Sequence, residues 1–449
     1  MTADDLIYQQ HKVLTQWFSE LPAWMEEVAD HRKFYTYSMA NLLSQGMFLF
    51  LSGEASRNAA NNRAEHGLFY KSNFSRLFEG MSWAHLDTVD DLFRGLSLET
   101  VEEVKTKMIR ELIEKKRITS FYGRYLIAID ATGVTTYDEV DRDGELLCRE
   151  SKSGKKTYLN ILLEAKLITP EGLSLSIASE PLSNAEIEAY LKQDCELKGF
   201  KRIAKKMKKN FPRLPICLLL DGIYANNTVF DTCEANDWKY IATLKDGCLG
   251  LLQQAVTDTT GTDRLCFESP VAVKQGRDLI YVNSHYQCIE GLHHKAHTVN
   301  WIEGVCPHPR KKEGEEVERR RFVYLTNLSL GKELSEKQSV IIKIVEAGRL
   351  RWKIENEGFN TQKNNGYHLH HKFSRYSVTT LHVYYILMQI AHIINQLVQH
   401  SRPVVALLKR HPKLTLRYLW DKLRHLVENC QLSYDRLSRN RTHCQIRLE

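Results

Sequence analysis

Ile216-Cys217-Leu218-Leu219-Leu220-Asp221 and Tyr125-Leu126-Ile127-Ala128-Ile129-Asp130 are the two stretches that decide the fold. Each is a short, almost wholly apolar run that stops at an aspartate. A strand buried on both faces reads this way, because helices cover both sides of a sheet with parallel strands and leave no polar face to alternate. A carboxylate at the end of such a strand sits at the rim of the sheet, where solvent and ligands reach it.

Working outward, Thr157-Tyr158-Leu159-Asn160-Ile161-Leu162-Leu163-Glu164-Ala165 and Leu173-Ser174-Leu175-Ser176-Ile177 read as two further strands. A long helix is expected over 184–209, a second over 225–236 and another strand over 238–244. Three sequential strands followed by alternating helix and strand give an α/β fold with a ribonuclease-H-like mixed sheet and flanking helices. The alternation breaks at 246–330, where Gly and Thr turns, Leu279-Ile280-Tyr281-Val282 and Arg321-Phe322-Val323-Tyr324-Leu325-Thr326 point to an inserted β-rich subdomain. Helical patterning returns from Ser335 to about Asn364 and stops at Asn364-Asn365-Gly366. Residues 1–120 carry apolar residues at helical spacing, with Asp87-Thr88 and Ser97 as candidate caps, and 377–400 and 414–430 read as basic helices. The expected division is therefore 1–120 helical, 121–245 the first part of the α/β core, 246–330 insertion, 331–375 the remainder of the core, and 376–449 helical.

A chain of 449 residues is long enough for two to four domains at about 150 residues each. Lys and Arg outnumber Asp and Glu by 62 to 55, and the positive charges come in clusters, which suits a polyanion such as nucleic acid as well as it suits a solvated surface. The ten cysteines contain no C-x-x-C pair and several lie in apolar runs, so reduced thiols in a cytoplasmic protein are expected. The first ten residues are polar and acidic, unlike a signal peptide, and the apolar run at 42–51 is too short to span a bilayer. No membrane partner is expected.

The chemistry rests on Asp130, Asp221 and a third acid. An aspartate after a strand also commonly caps a turn, so either alone would be ordinary. Two in the same context on neighbouring strands make a metal-ligand pair. The third feature is Arg349-Leu350-Arg351-Trp352-Lys353-Ile354-Glu355-Asn356-Glu357-Gly358-Phe359, on which helical spacing puts Arg351, Glu355 and Phe359 on one face. Glu357 would lie about 200° around from Glu355 and could not share that face.

Ala128-Ile129-Asp130-Ala131-Thr132, Leu219-Leu220-Asp221-Gly222-Ile223-Tyr224-Ala225 and Arg351-Trp352-x-Ile354-Glu355, in that order, resemble the DDE insertion-sequence transposases, especially the insertion-sequence-four type with a β-insertion before the last carboxylate. The resemblance covers roughly residues 85–400. It implies a DNA transposase in which Asp130, Asp221 and Glu355 hold two divalent cations, Mg2+ or Mn2+, with double-stranded DNA as partner and a homodimer assembled on it. It implies a bacterial, nucleoid-associated setting. Cleavage by water would come first, then attack of a 3′-hydroxyl on target DNA. The family signature is Tyr, two residues, Arg, three residues, Glu, six residues, Lys. Arg351 and Glu355 fit; Gly348 stands at the Tyr position, and Gln362 at the Lys position with Lys363 one residue late. One extra residue accommodated near Gly358 as a helix irregularity would restore Lys363.

Arg351 and Lys363 are thus candidate DNA contacts, as are Lys205 and Lys209 in the basic run Lys201-Arg202-Lys205-Lys206-Lys208-Lys209, which reads equally as a solvated face. Cys288, His293, His294, His297, Cys306 and His308 invite a zinc reading, but their spacing fits no zinc pattern. Tyr281 and Trp301 could stack on a base or pack a core, and His368, His370 and His371 follow the Glu helix as surface or DNA-facing residues. A metal-dependent nuclease without strand transfer and a catalytically idle DNA-binding relic are the competing functions. The helical ends favour the transposase over the simple nuclease, and the acid triad argues against the relic.

Overall fold

The computed structural model describes residues 4–138, 146–184, 194–275, 278–308 and 317–439, with 444 and 446. Ten strands form one open sheet: β1 (Tyr125–Tyr137), β2 (Leu147–Glu150), β3 (Lys156–Ile168), β4 (Ser174–Leu182), β5 (Ile216–Leu220), β6 (Lys239–Thr243), β7 (Leu265–Gln275), β8 (Asp278–His294), β9 (His297–His308) and β10 (Glu318–Thr326). Their order is β2-β3-β1-β5-β6-β10-β9-β8-β7, and β4 also pairs with β3. The pairs β1–β5 and β5–β6 are parallel; the others are antiparallel.

The apolar runs are continuous because both faces of the central strands are covered. Ile127, Ile129, Leu218 and Leu220 enter one core, with Phe200, Ile203 and Met207 of the helix Glu196–Asn210. Leu126, Ala128, Cys217 and Leu219 enter a second core, with Ile341, Ile344 and Val345 of the helix Leu334–Arg349. Truncating one such side chain, Leu219→Ala for example, carries the usual cavity cost of about 2–5 kcal/mol. Asp130 continues the second face, so its carboxylate emerges on the side of the Leu334–Arg349 helix.

Four expectations need correction. The helix awaited over 184–209 runs only from Glu196 to Asn210, and 185–193 lie outside the described residues. The 246–330 region is rich in strands, but it also holds the helix Gly250–Asp258, and it does not stand apart: β10 pairs with β6 through Tyr324↔Thr243, Leu325↔Ala242 and Thr326↔Ile241, so the insertion prolongs the central sheet at its edge. The helical regions at the two ends are not separate bodies either. The helix Val378–Gln399 packs on Met39–Leu51, and Gln10 Nε2 donates to Asn395 Oδ1 at 2.7 Å. Val378–Gln399 is long and apolar enough to cross a bilayer by composition, yet its apolar window is wholly buried, as befits the central core helix. His85, rather than Asp87 or Thr88, caps the helix Leu86–Phe93, while Ser97 stands at the N-cap position of Leu98–Glu114 with its hydroxyl turned to Glu99 rather than to the helix backbone. All ten cysteines are free thiols.

Candidate active site

Asp130 is not the last residue of its strand. β1 continues through Thr132, Gly133, Thr135 and Thr136, because these pair with β3 beyond the point where β5 has ended, with a register shift at Val134. Asp221 does follow the last residue of β5, and its carboxylate caps the next turn by accepting from the Gly222 N–H at 2.7 Å. The parallel register Ala128↔Leu219 puts Asp130 beside Asp221 at one rim of the sheet. Arg351 lies over both. Its Nη1 is 3.5 Å from Asp130 Oδ2, and the residue is only 8% exposed. Lys245 Nζ pairs with Asp221 Oδ2 at 2.9 Å.

The two carboxyls are pushed in opposite directions. Burial drives Asp130 up to about 6; Arg351 and the Ala131 N–H work against that, while Glu196 and Asp221 add to it. Burial also raises Asp221, but the Lys245 hydrogen bond, the Gly222 N–H and Arg351 outweigh it and hold the group below the ordinary carboxylate range. Paired acids with divergent affinities for protons, one buried and one salt-bridged, are a common mark of a functional cleft.

No protein-family model and no curated protein matches this chain. The site therefore stands on its own geometry.

The Glu helix carries the irregularity that the displaced lysine called for. Helical structure runs from 334 to 364, but Leu350–Trp352 is a tight 3-10 turn and Ile354–Asn360 a π-helical turn. A π turn accommodates one extra residue. It turns Gln362 inward, where Nε2 donates to Gln389 Oε1 at 2.8 Å and lies 2.9 Å from His392 Nδ1. Lys363 is left partly exposed. The same irregularity undoes the single face expected for Arg351, Glu355 and Phe359. Arg351 and Phe359 are buried, and Glu355 is exposed. Glu357 turns toward Lys353, with which it pairs at 3.1 Å. Lys166, wholly buried on β3, lies 5.7 Å from the Phe359 ring centre, within cation–π range, and braces the turn from below.

Gly348 leaves room for a ring from elsewhere. A Cβ there would lie 2.4 Å from Cζ of Tyr324, on β10. Tyr324 is 3% exposed and feels the charges of Arg349 and Arg351. An aromatic side chain thus does occupy the space beside the arginine turn, but it comes from the insertion. Tyr324, Lys245 and Glu196 escaped the sequence reading because nothing local marks them. Glu196 accepts from the Tyr224 hydroxyl at 3.1 Å and adds negative charge near Asp130.

Asp130 and Asp221 fit a hard divalent cation: they offer oxygen donors only, and Asp130 sits in a desolvated spot that calls for compensating positive charge. Arg351 and Lys245 supply that charge here. Glu355 is not gathered with them. Among the described residues no group of three His, Cys, Asp or Glu stands close enough to hold a metal, so the convergence of the full triad is corrected to a convergence of its two aspartates with Arg351.

The remaining candidates sort cleanly. Lys201, Lys205 and Lys209 are exposed at successive turns of the helix Glu196–Asn210, while Arg202 and Lys206 are tied down by Glu180, Asp194 and Glu102. The six Cys and His residues of the insertion are spread along β8 and β9; His297 is engaged by Glu234 at 2.9 Å and Asp231 at 3.1 Å. Trp301 is buried with Arg264 over its ring, whereas Tyr281 is 72% exposed.

Proposed function

We propose that this chain is a DDE-type DNA transposase that cleaves transposon ends and joins them to target DNA, acting as a dimer assembled on DNA. The observation that carries the reading is the pairing of Asp130 with Asp221 under Arg351, with Glu355 one turn further along the same helix. A ribonuclease-H-like core is supported by the strand order β4-β3-β1-β5-β6, with β1, β5 and β6 parallel and the acids at one rim.

The aspartates would hold divalent cations; Glu355, exposed and standing off from them, would turn inward to complete the set. Two such ions, when bound, activate the attacking oxygen and steady the leaving one. The residues of the chain do the rest. Asp130 is the costliest to ionise, so it has most to gain from a cation. Arg351 sits where a scissile phosphate would lie beside Asp130, and its fork suits two phosphate oxygens. Lys363, brought round by the π turn, is two turns further along for a neighbouring phosphate. Lys205 and Lys209 offer a solvated ridge for more distant duplex.

The test uses DNA carrying the inverted repeats that flank the coding region, incubated with the protein and Mg2+. Both 3′-hydroxyl ends and joined products are expected. Cleavage without joining would make it a nuclease, and neither product would make it a binding relic.

A further inference from the structure

Beyond the catalytic rim, the loop after the Glu helix and the helix Leu416–Asn429 enclose a cavity of about 250 Å³. Its walls are rich in hydrogen-bond donors. Lys363 and Arg417 form no ion pair among the described residues, and Arg424 pairs with Asp421 at 2.7 Å while donating to the Gly53 carbonyl at 2.6 Å. Three cationic side chains therefore line the cavity beside one carboxylate, Asp421. Trp420 also lines the cavity; it is 4% exposed, and its buried indole N–H has no acceptor among the described residues. A buried donor left without an acceptor costs about 1–3 kcal/mol, so a site of this kind calls for one. His368 adds a wall held in the left-handed region at φ 51°. Burial, then Arg424, lowers its pKa, with Arg417 adding to the effect, so it is neutral near pH 7. Glycines at 53 and 366, both with positive φ, shape the floor, and a Cβ added at Gly53 would lie 3.4 Å from the Gly366 carbonyl oxygen.

We propose that this cavity binds a phosphate group, and that in the working protein the phosphate belongs to the DNA backbone. The inference rests on the transposase reading. Lys363 stands eight residues beyond Glu355, roughly 12 Å along the helix, which is the length of three to four base pairs. A duplex held at Arg351 would run on along the same helix toward the cavity. The C-terminal helices would then clamp DNA through Arg417 and Trp420.

The test measures binding of the full-length protein to a fluorescent duplex in EDTA, where no cleavage intervenes, over a range of salt. Arg417→Gln is expected to weaken binding three- to tenfold and to lower the slope of log K against log salt by about one. Arg417→Lys should keep the slope. Trp420→Phe, which removes the N–H together with part of the ring, should weaken binding with the slope unchanged and cost some stability. Thermal melts of the two Arg417 variants should match the wild type. A duplex bound equally by wild type and Arg417→Gln would overturn the proposal while leaving the transposase reading intact. Saturable binding of inorganic phosphate, followed by ³¹P resonance and lost in Arg417→Gln while duplex affinity stays the same, would assign the cavity to a free anion and overturn it too. Wild-type protein that binds no duplex would remove both readings together.

Discussion

Gly348 and Tyr324 provide a test in which one substitution changes sign with its background. A Cβ at position 348 would meet Cζ, Cε1 and Cε2 of Tyr324 at 2.4, 2.6 and 2.8 Å. Ordinary carbon contacts lie at about 3.5–4.0 Å, so the ring must retreat by about 1 Å. Tyr324 is 3% exposed on a strand paired on both sides, which leaves it little space to do so. Overpacking of this kind costs about 1–3 kcal/mol. Alanine is also about 1 kcal/mol better than glycine inside a helix. Gly348→Ala should therefore destabilise the wild type by a net ~0–2 kcal/mol. In a Tyr324→Leu background the clash is gone, and the same change should stabilise by up to about 1 kcal/mol. The assay is urea unfolding of the four proteins of the cycle, with an expected coupling of about 1–3 kcal/mol. The displaced ring presses on the turn that carries Arg351, so Gly348→Ala should also slow cleavage without weakening DNA binding. Stabilisation of the wild type by Gly348→Ala, or a coupling of zero, would refute the packing argument.

Other outcomes follow from the charges. Asp130 is raised to about 6, so as pH falls through 6 the folded protein takes up a proton there that the unfolded chain does not, which favours folding but opposes cation binding. Mn2+ affinity, read by titration calorimetry, should fall about tenfold per pH unit below 6 and be flat above; a flat profile from 5 to 8 would exclude Asp130 as a ligand. His382, wholly buried against Asn160, is lowered by burial to about 4. Its contribution to stability is present above the ordinary histidine value and is lost as pH falls toward 4, about 2 kcal/mol by pH 5, so chemical unfolding of His382→Gln should show a shallower acid loss than the wild type. Replacing Lys201, Lys205 and Lys209 together by Gln should lower the salt slope of duplex binding by about 2.7 if all three touch phosphates. An unchanged slope would make that ridge a solvated face.

The central strands were legible because burial on both faces leaves short apolar runs bounded by turn residues, and the Asp221 turn followed from its position after one. The end of β1 was misjudged because Thr132 to Thr136 alternate weakly and gain their partners only from β3. The late lysine could be read as a helix irregularity, since one residue too many between two sites on a helix has to go somewhere, and Ile354–Asn360 is where it goes. The consequence for Glu355 and Phe359 was not legible, because the 3-10 turn before the π turn rotates the face again. Lys245, Glu196 and Tyr324 reach the site from the turn after β6, the start of the helix Glu196–Asn210 and β10, through long-range packing. Single-chain periodicity carries no trace of such contacts, nor of the way the helices at the two ends close into one core.

Cleavage of end-bearing DNA with Mg2+, compared at matched DNA occupancy, tests the central claim most directly when it includes Asp130→Asn, Asp221→Asn, Glu355→Gln and Glu357→Gln. The first three should lose cleavage by at least a hundredfold while duplex affinity holds or rises slightly, because each removes a negative charge facing both cation and phosphate. Glu357→Gln, whose carboxylate is engaged by Lys353, should cleave at close to the wild-type rate. Loss of activity in Glu357→Gln with Glu355→Gln intact would move the third acid to the other face of the helix. Wild-type cleavage by Asp221→Asn would contradict the account outright.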